Sequence, residues 1–316
     1  MKKFLITGGS GFIGSNICKF LVKKGHAVFS FDNNSRTSRK NELFKNKNLK
    51  YLNGDITNKQ DLLKIKVKFD AIIHLAFING TKFFYEKPDD VIRVGIIGML
   101  NIIEFAKIKN IKEFYLASSS EVYQTPSKIP TDENEMMKIP DPYNPRYSYA
   151  GSKILSEIIA INYGKKFLDK LVIFRPHNVY GPNMGNEHVI PDIIRKINEA
   201  IKKGSEFITI QGNGRETRTF NYIDDFVNGI GILISKAKKF NTFNIGDNNE
   251  IKIINLIRKI MKIMKVNLKI KTHTLAKGSA LRRKPNINKI KMLGYKPRIS
   301  IEKGLTKTIK WYQKNI

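Results

Sequence analysis

A chain of 316 residues, 41% of them hydrophobic, is long enough for one large α/β domain and a smaller lobe. No run approaches the ~20 apolar residues of a bilayer span, Met1-Lys2-Lys3 enters an apolar strand with no room for a signal peptide, and the single cysteine, Cys18, excludes an intramolecular disulfide, so a cytoplasmic protein without a membrane partner is expected. The formal charge of +30, from 57 basic and 27 acidic residues, is spread along a chain rich in lysine, isoleucine and asparagine rather than blocked into a tail; nucleic acid is not expected as a partner, although the surplus would attract anionic small molecules.

Lys2–Thr7 reads as a short buried strand, followed at once by Gly8-Gly9-Ser10-Gly11-Phe12-Ile13-Gly14. A helical pattern runs from Ser15 to Lys24 and stops at Gly25; it buries Cys18 as a small apolar residue. A second strand, Ala27–Phe31, ends in Asp32. In this order Gly8 permits a tight turn, Gly11 lets the backbone approach a pyrophosphate, and Gly14 lets helix pack on strand. The helix N-terminus offers N–H groups and positive dipole to phosphates. Asp32 stands where an acid accepts from the adenine ribose hydroxyls. That favours NAD, because a 2′-phosphate would meet its charge; Arg36, Arg39 and Lys40 keep NADP open.

Further strands are expected at Leu49–Leu52, Ala71–Leu75, Glu113–Ala117 and Lys170–Arg175. Helices are expected near Asp61–Ile65, Pro88–Lys109, Tyr149–Lys166, Ile190–Lys203, Ile223–Lys236, Ile253–Met264 and Ile301–Asn315. This alternation implies a doubly wound parallel sheet with helices on both faces. Residues 124–148, with five prolines, read as a surface loop in which 131–135 (TDENE) is a solvated face. Asp224 and Asp225 precede an apolar helix and read as N-capping residues. His74, His177 and His188 lack metal-ligand spacing, so no metal is expected.

Tyr149 and Lys153 sit one helical turn apart, on one face. At about 4 Å and an effective dielectric of about 20, a lysine ammonium would attract a phenolate by roughly 4 kcal/mol, enough to bring a pKa of ~10 down to ~7. That would fit the tyrosine for general-base work.

These residues give the chain its resemblance. Thr7–Gly14, Asp32-Asn33, Gly54-Asp55-Ile56, His74-Leu75-Ala76, Ser118–Tyr123, Tyr149–Lys153, Arg175–Pro182, Arg218–Asp225, Asn244–Gly246, Arg283–Asn286 and Leu293–Tyr295 occur in one order across nearly the whole chain. They resemble an extended short-chain dehydrogenase/reductase of the nucleotide-sugar epimerase/dehydratase family. The resemblance implies a Rossmann-type NAD-binding domain, residues 1–175 plus about 216–249, and a smaller C-terminal nucleotide-sugar-binding lobe, residues 176–215 plus 250–316. It implies cofactor contacts at Gly8, Gly11, Phe12, Ile13, Gly14, Asp32, Asn33, Asp55, Ile56, Leu75, Ala76, Tyr149 and Lys153.

In the family mechanism the sugar's C4 hydroxyl loses its proton to the tyrosine while C4 gives hydride to the nicotinamide. By match, Tyr149 is the base, Lys153 holds the nicotinamide ribose and the phenolate, and Ser119 bonds the reacting hydroxyl; a strand-end serine bonded to backbone is the alternative for Ser119. Asn178, Arg218 and Arg283 match substrate-binding positions, the arginines gripping the diphosphate. Ser120-Glu121 resembles GDP-mannose 4,6-dehydratases and UDP-glucuronate decarboxylases, and also occurs in epimerase-like members. Glu121 is expected to be catalytic, or else to face solvent or cap a turn. Gln124 and Phe77 replace a usual glycine and a usual alanine at the pocket mouth. A 4-epimerase is placed first, with dehydratase or decarboxylase next and a non-catalytic NAD-binding scaffold as the rival class. Homologues pair the helices near 88–109 and 149–166 in a homodimer, and surface-polysaccharide precursor synthesis is the family's usual setting.

Overall fold

The computed structural model describes residues 1–35, 44–275, 278 and 280–315; Arg36, Arg39 and Lys40 lie outside them. Six strands, β1 (Lys3–Thr7), β2 (Ala27–Asp32), β3 (Leu49–Asn53), β4 (Ala71–His74), β5 (Glu113–Ala117) and β6 (Lys170–Pro176), join Phe240–Ile245 in one sheet. Its order is 240–245, β6, β5, β4, β1, β2, β3, every pairing parallel. The order reverses at β1, so a crevice opens beyond the carboxyl ends of β1 and β4.

Among the described residues the α-helices are α1 (Phe12–Lys23), α2 (Lys59–Leu63), α3 (Thr81–Glu86), α4 (Pro88–Ile108), α5 (Tyr147–Gly164), α6 (Val189–Lys202), α7 (Ile223–Lys236), α8 (Ile253–Met264), α9 (Asn288–Lys291) and α10 (Ile301–Asn315). Alternate strand residues feed two cores, as a sheet covered on both faces requires. Phe4, Ile6, Val28, Ile73 and Phe174 pack with Ile17 and Leu21 of α1 and Phe226 of α7. Leu5, Phe31, Ile72, Phe114 and Ile173 pack with Met99, Ile102 and Ile103 of α4 and Ile159 and Ala160 of α5. Pro88 starts α4, where its missing N–H costs nothing. Cys18 is buried and its thiol pushed up to about 12 by burial, as an inert apolar residue would be.

Short strands follow β6. Thr217–Thr219 lies between Glu250–Lys252 and Arg282–Arg283, in a register that sets Arg218 beside Arg283. Phe207–Gln211 pairs with Lys269–His273. Two expectations are corrected here. Asp224 and Asp225 do not cap α7: Tyr222 is its N-cap, and the buried Asp225 carboxylate accepts from the Arg298 and Ile299 amides at 3.0 and 2.8 Å. Nor is 131–135 a solvated face. Thr131 is buried, and Glu133 accepts from the Asn244 amide at 2.7 Å, its carboxyl pushed up by burial.

Candidate active site

The glycine turn is built as the spacing predicts. Gly8 adopts φ +72°, and a Cβ there would lie 2.8 Å from the Ala76 nitrogen. A Cβ on Gly14 would lie 2.1 Å from the Gly8 oxygen, so α1 can touch the turn only through glycine. Gly11 is different: a Cβ there meets only the Gly8 oxygen, at 3.3 Å, which leaves its face open. Helix α1 starts at Phe12, earlier than the pattern suggested, with Gly11 as N-cap and no side chain capping it among the described residues. Its first-turn amides, at Phe12, Ile13 and Gly14, are thereby left to a ligand.

Asp32 ends β2 with its carboxylate fixed by the Ser10 amide at 3.0 Å and the Asn34 amide at 2.8 Å, one on each oxygen. Lone pairs remain for ribose hydroxyls. Asp55 accepts from Thr57 N at 2.8 Å and Asn33 Nδ2 at 3.0 Å. Burial pushes the Asp55 carboxyl up, but these bonds outweigh it and hold it below the usual range. Ile56 is buried against Gly98 of α4. Leu75 and Ala76 continue β4, their amides near Thr7 Oγ1 at 3.3 and 3.4 Å. The cleft therefore fits a dinucleotide: an open uncapped helix end, a glycine approach and a fixed acid.

Across the crevice, α5 presents Tyr149 and Lys153, both buried. Lys153 Nζ donates to the Ala117 carbonyl at 2.7 Å, which ties α5 to the carboxyl end of β5. It lies 5.8 Å from the Tyr149 ring centroid and 3.8 Å from that of Phe77. Burial pulls the ammonium down to about 7, against the Glu157 charge that opposes it. Its hold on a phenolate is thus strongest below neutral pH. Tyr149 stacks on Phe84 of α3 at 4.7 Å and meets Phe77 edge-on at 5.2 Å.

Two residues beyond Ala117, Ser119 caps the 3₁₀ turn Ser120–Tyr123; its Oγ accepts from the Glu121 amide at 3.1 Å. It is bonded to backbone, as the alternative reading had it, yet accepting leaves its hydroxyl able to donate. Gln124 follows at φ +52°, which explains why glycine is usual there.

Glu121 and Arg283 stand apart as predicted roles but together in space. The guanidinium holds both Glu121 carboxylate oxygens, one by Nη2 at 2.9 Å. Burial would raise the Glu121 carboxyl, but Arg283, with Arg146 and Arg218 beyond it, brings it down to about 2. Arg218 donates to the Ala280 carbonyl at 2.7 Å and is pulled down to about 10 by burial and by Arg283. Arg283 Nε and Arg146 Nε are buried with no hydrogen-bond partner. Asn178 donates to the Thr219 carbonyl at 2.9 Å, one residue beyond Arg218.

Sequence reasoning passed over Arg146, Phe84 and a buried network beneath the turn. In that network Glu157 accepts from Arg175 at 2.9 and 2.7 Å and binds the Ser118 hydroxyl, while Arg175 reaches Tyr123 OH at 2.7 Å. His177 bonds Asn244 and is pushed down to about 4 by burial; His74 bonds Thr7 and is pushed down to about 3. Both are neutral packing residues. Among the described residues no cluster of His, Cys, Asp and Glu could hold a metal, and no helix is long and apolar enough to cross a membrane.

The family model "NAD dependent epimerase/dehydratase family" matches residues 4–246. A UDP-glucuronate 4-epimerase of Thermodesulfobacterium geofontis is 32% identical, covering all of this chain and 98% of its own. A UDP-N-acetyl-alpha-D-glucosaminuronate decarboxylase of Bacillus cytotoxicus is 31% identical, over 99% of this chain and 98% of its own. The UDP-glucose 4-epimerase of Thermotoga maritima, solved with UDP-glucose, superposes with a TM-score of 0.86 at 26% identity, over 99% of both chains. With the glycine turn, the fixed acid and the Tyr–Lys pair in place, the chain belongs to the NAD-dependent epimerase/dehydratase family of the extended short-chain dehydrogenase/reductases, an enzyme with NAD as its cofactor.

Proposed function

We propose that the protein is a nucleotide-sugar 4-epimerase that acts on a nucleotide-linked hexuronate through a transient 4-keto sugar. The observation that carries this reading is the Glu121–Arg283 pair. A glutamate held at about 2 by a guanidinium is a poor base for a C5 proton, and water elimination needs such a base. Epimerisation needs only Tyr149, Lys153, Ser119 and NAD. NAD, when bound, supplies a reversible hydride acceptor.

The chain's own residues divide the remaining work. Asp32 and the first turn of α1 bind the dinucleotide. Tyr149 takes the C4 hydroxyl proton, and returns it once the ketone has turned over. Ser119 donates to that oxygen as negative charge grows there. Lys153, while charged, favours the phenolate. Arg146, Arg218 and Arg283 outnumber the nearby Glu121 and Glu216, so the site lacks negative charge that a diphosphate and a sugar carboxylate would bring. The two curated relatives named above act, by name, on uronate sugars, which supports that choice. The substrate lobe would comprise residues 176–215 and 250–316.

The decarboxylase among these relatives favours a second reading, loss of carbon dioxide from the 4-keto acid. A guanidinium placed on the sugar carboxylate would stabilise the charge that decarboxylation must shift onto the ring carbons, which favours epimerisation. Exposed Ile92, Ile97, Ile108, Leu155, Ile158 and Tyr163 on α4 and α5 support a homodimer through these helices. Purified protein incubated with NAD and UDP-glucuronate should give a product of unchanged mass with inverted C4. Loss of water, or of carbon dioxide, would reject the epimerase assignment.

A further inference from the structure

We propose that Phe77 is a positioning residue for the base: its ring face holds the Lys153 ammonium, as a cation, beside Tyr149. Three observations converge on it. The ammonium lies 3.8 Å from the ring centroid, well inside the ~6 Å reach of a cation–π contact. The same ring meets Tyr149 edge-on at 5.2 Å and 85°. Its seat is shaped for it, because a Cβ on Gly95 of α4 would lie 2.5 Å from the ring's Cζ. Phe77, half-buried, is therefore held between α4 and α5.

The groups facing Lys153 explain why a ring is needed. Glu157, one turn along α5, is committed to Arg175 and the Ser118 hydroxyl. His74 of β4 is neutral at physiological pH, since burial pushes it down to about 3. The end of β5 supplies one acceptor, the Ala117 carbonyl. No anion touches the ammonium among these groups, so the negative π face joins the Ala117 carbonyl and the more distant Glu157 charge in offsetting its burial. Desolvation strengthens such a contact.

The inference rests on the Tyr149–Lys153 base reading but not on the identity of the sugar. It is tested on the protein without cofactor or sugar, by titrating the Lys153 Cε resonance in ¹³C-lysine protein, assigned through its loss in Lys153→Met. Phe77→Leu keeps the apolar cover and removes the π face. It should lower the proton affinity of Lys153 about three- to tenfold, half to one pH unit. Phe77→Tyr, which restores a π face, should return the midpoint to that of the native protein. If Phe77→Leu does not fold, Phe77→Met takes its place. An unmoved or raised midpoint in the Leu or Met variant, or a Tyr variant that titrates like Leu, overturns the proposal.

Discussion

Tyr149 and Glu121 show how the setting of one side chain fixes what it can do. In the proposed reaction Tyr149 serves as base, with α5 holding it one turn from the buried Lys153. Tyr149→Phe should abolish turnover and leave the NAD dissociation constant, measured by calorimetry, within about twofold. In the same proposal Glu121 is a poor base because the Arg283 guanidinium holds its carboxylate. Arg283 brings the Glu121 carboxyl down to about 2 in the fold, against an ordinary 4.5, so the stability it supplies is present above about 4.5 and is lost as pH falls toward 2. Glu121→Gln should remove roughly 3 kcal/mol of that acid sensitivity, as an upper bound. Urea unfolding of both proteins between about pH 6 and 2 checks it. Parallel pH curves would show the pair to be uncoupled from stability. The Glu121–Arg283 contact spans 162 positions, which is why local sequence reading could give each a role but not join them.

At the scale of elements, long amphipathic helices and buried strands were legible, because their periodicity is written within them. α7, α8 and α10 fall on their predicted bounds. The strands of two or three residues near Arg218 and Arg283 have no pattern of their own; their partners define them. Residues 124–148 read as a surface loop because their anchors, Lys284 and Asn244, lie far along the chain. Gly14 was legible through its spacing, and the geometry explains it. Gly14→Ala would drive a methyl into the Gly8 carbonyl and should weaken NAD binding at least about tenfold, at a cost of about 1–3 kcal/mol in stability. The Glu157–Arg175 pair was not legible, since neither partner carries a motif role that names the other. Both are nearly excluded from water, so Glu157→Gln should cost about 3 kcal/mol or more in urea unfolding. A loss under about 1 kcal/mol would mean that the network is not structural.

Across the whole molecule, the proposed cofactor and base residues lie near the carboxyl ends of one parallel sheet, and the +30 charge would add a long-range attraction for anions. The KM for a nucleotide-sugar should rise as salt is added from about 0.05 to 0.5 M, while kcat changes little; a flat KM would assign the charge no part in encounter. Ile158→Glu on the exposed face of α5 should yield a monomer in sedimentation if the inferred homodimer forms there. The central claim is reversible hydride loss at C4 with Tyr149 as the proton acceptor. It is tested most directly with UDP-glucuronate carrying deuterium at C4: the 4-epimer should keep the label at C4, with no exchange into water. Washout of that deuterium into solvent would contradict the account.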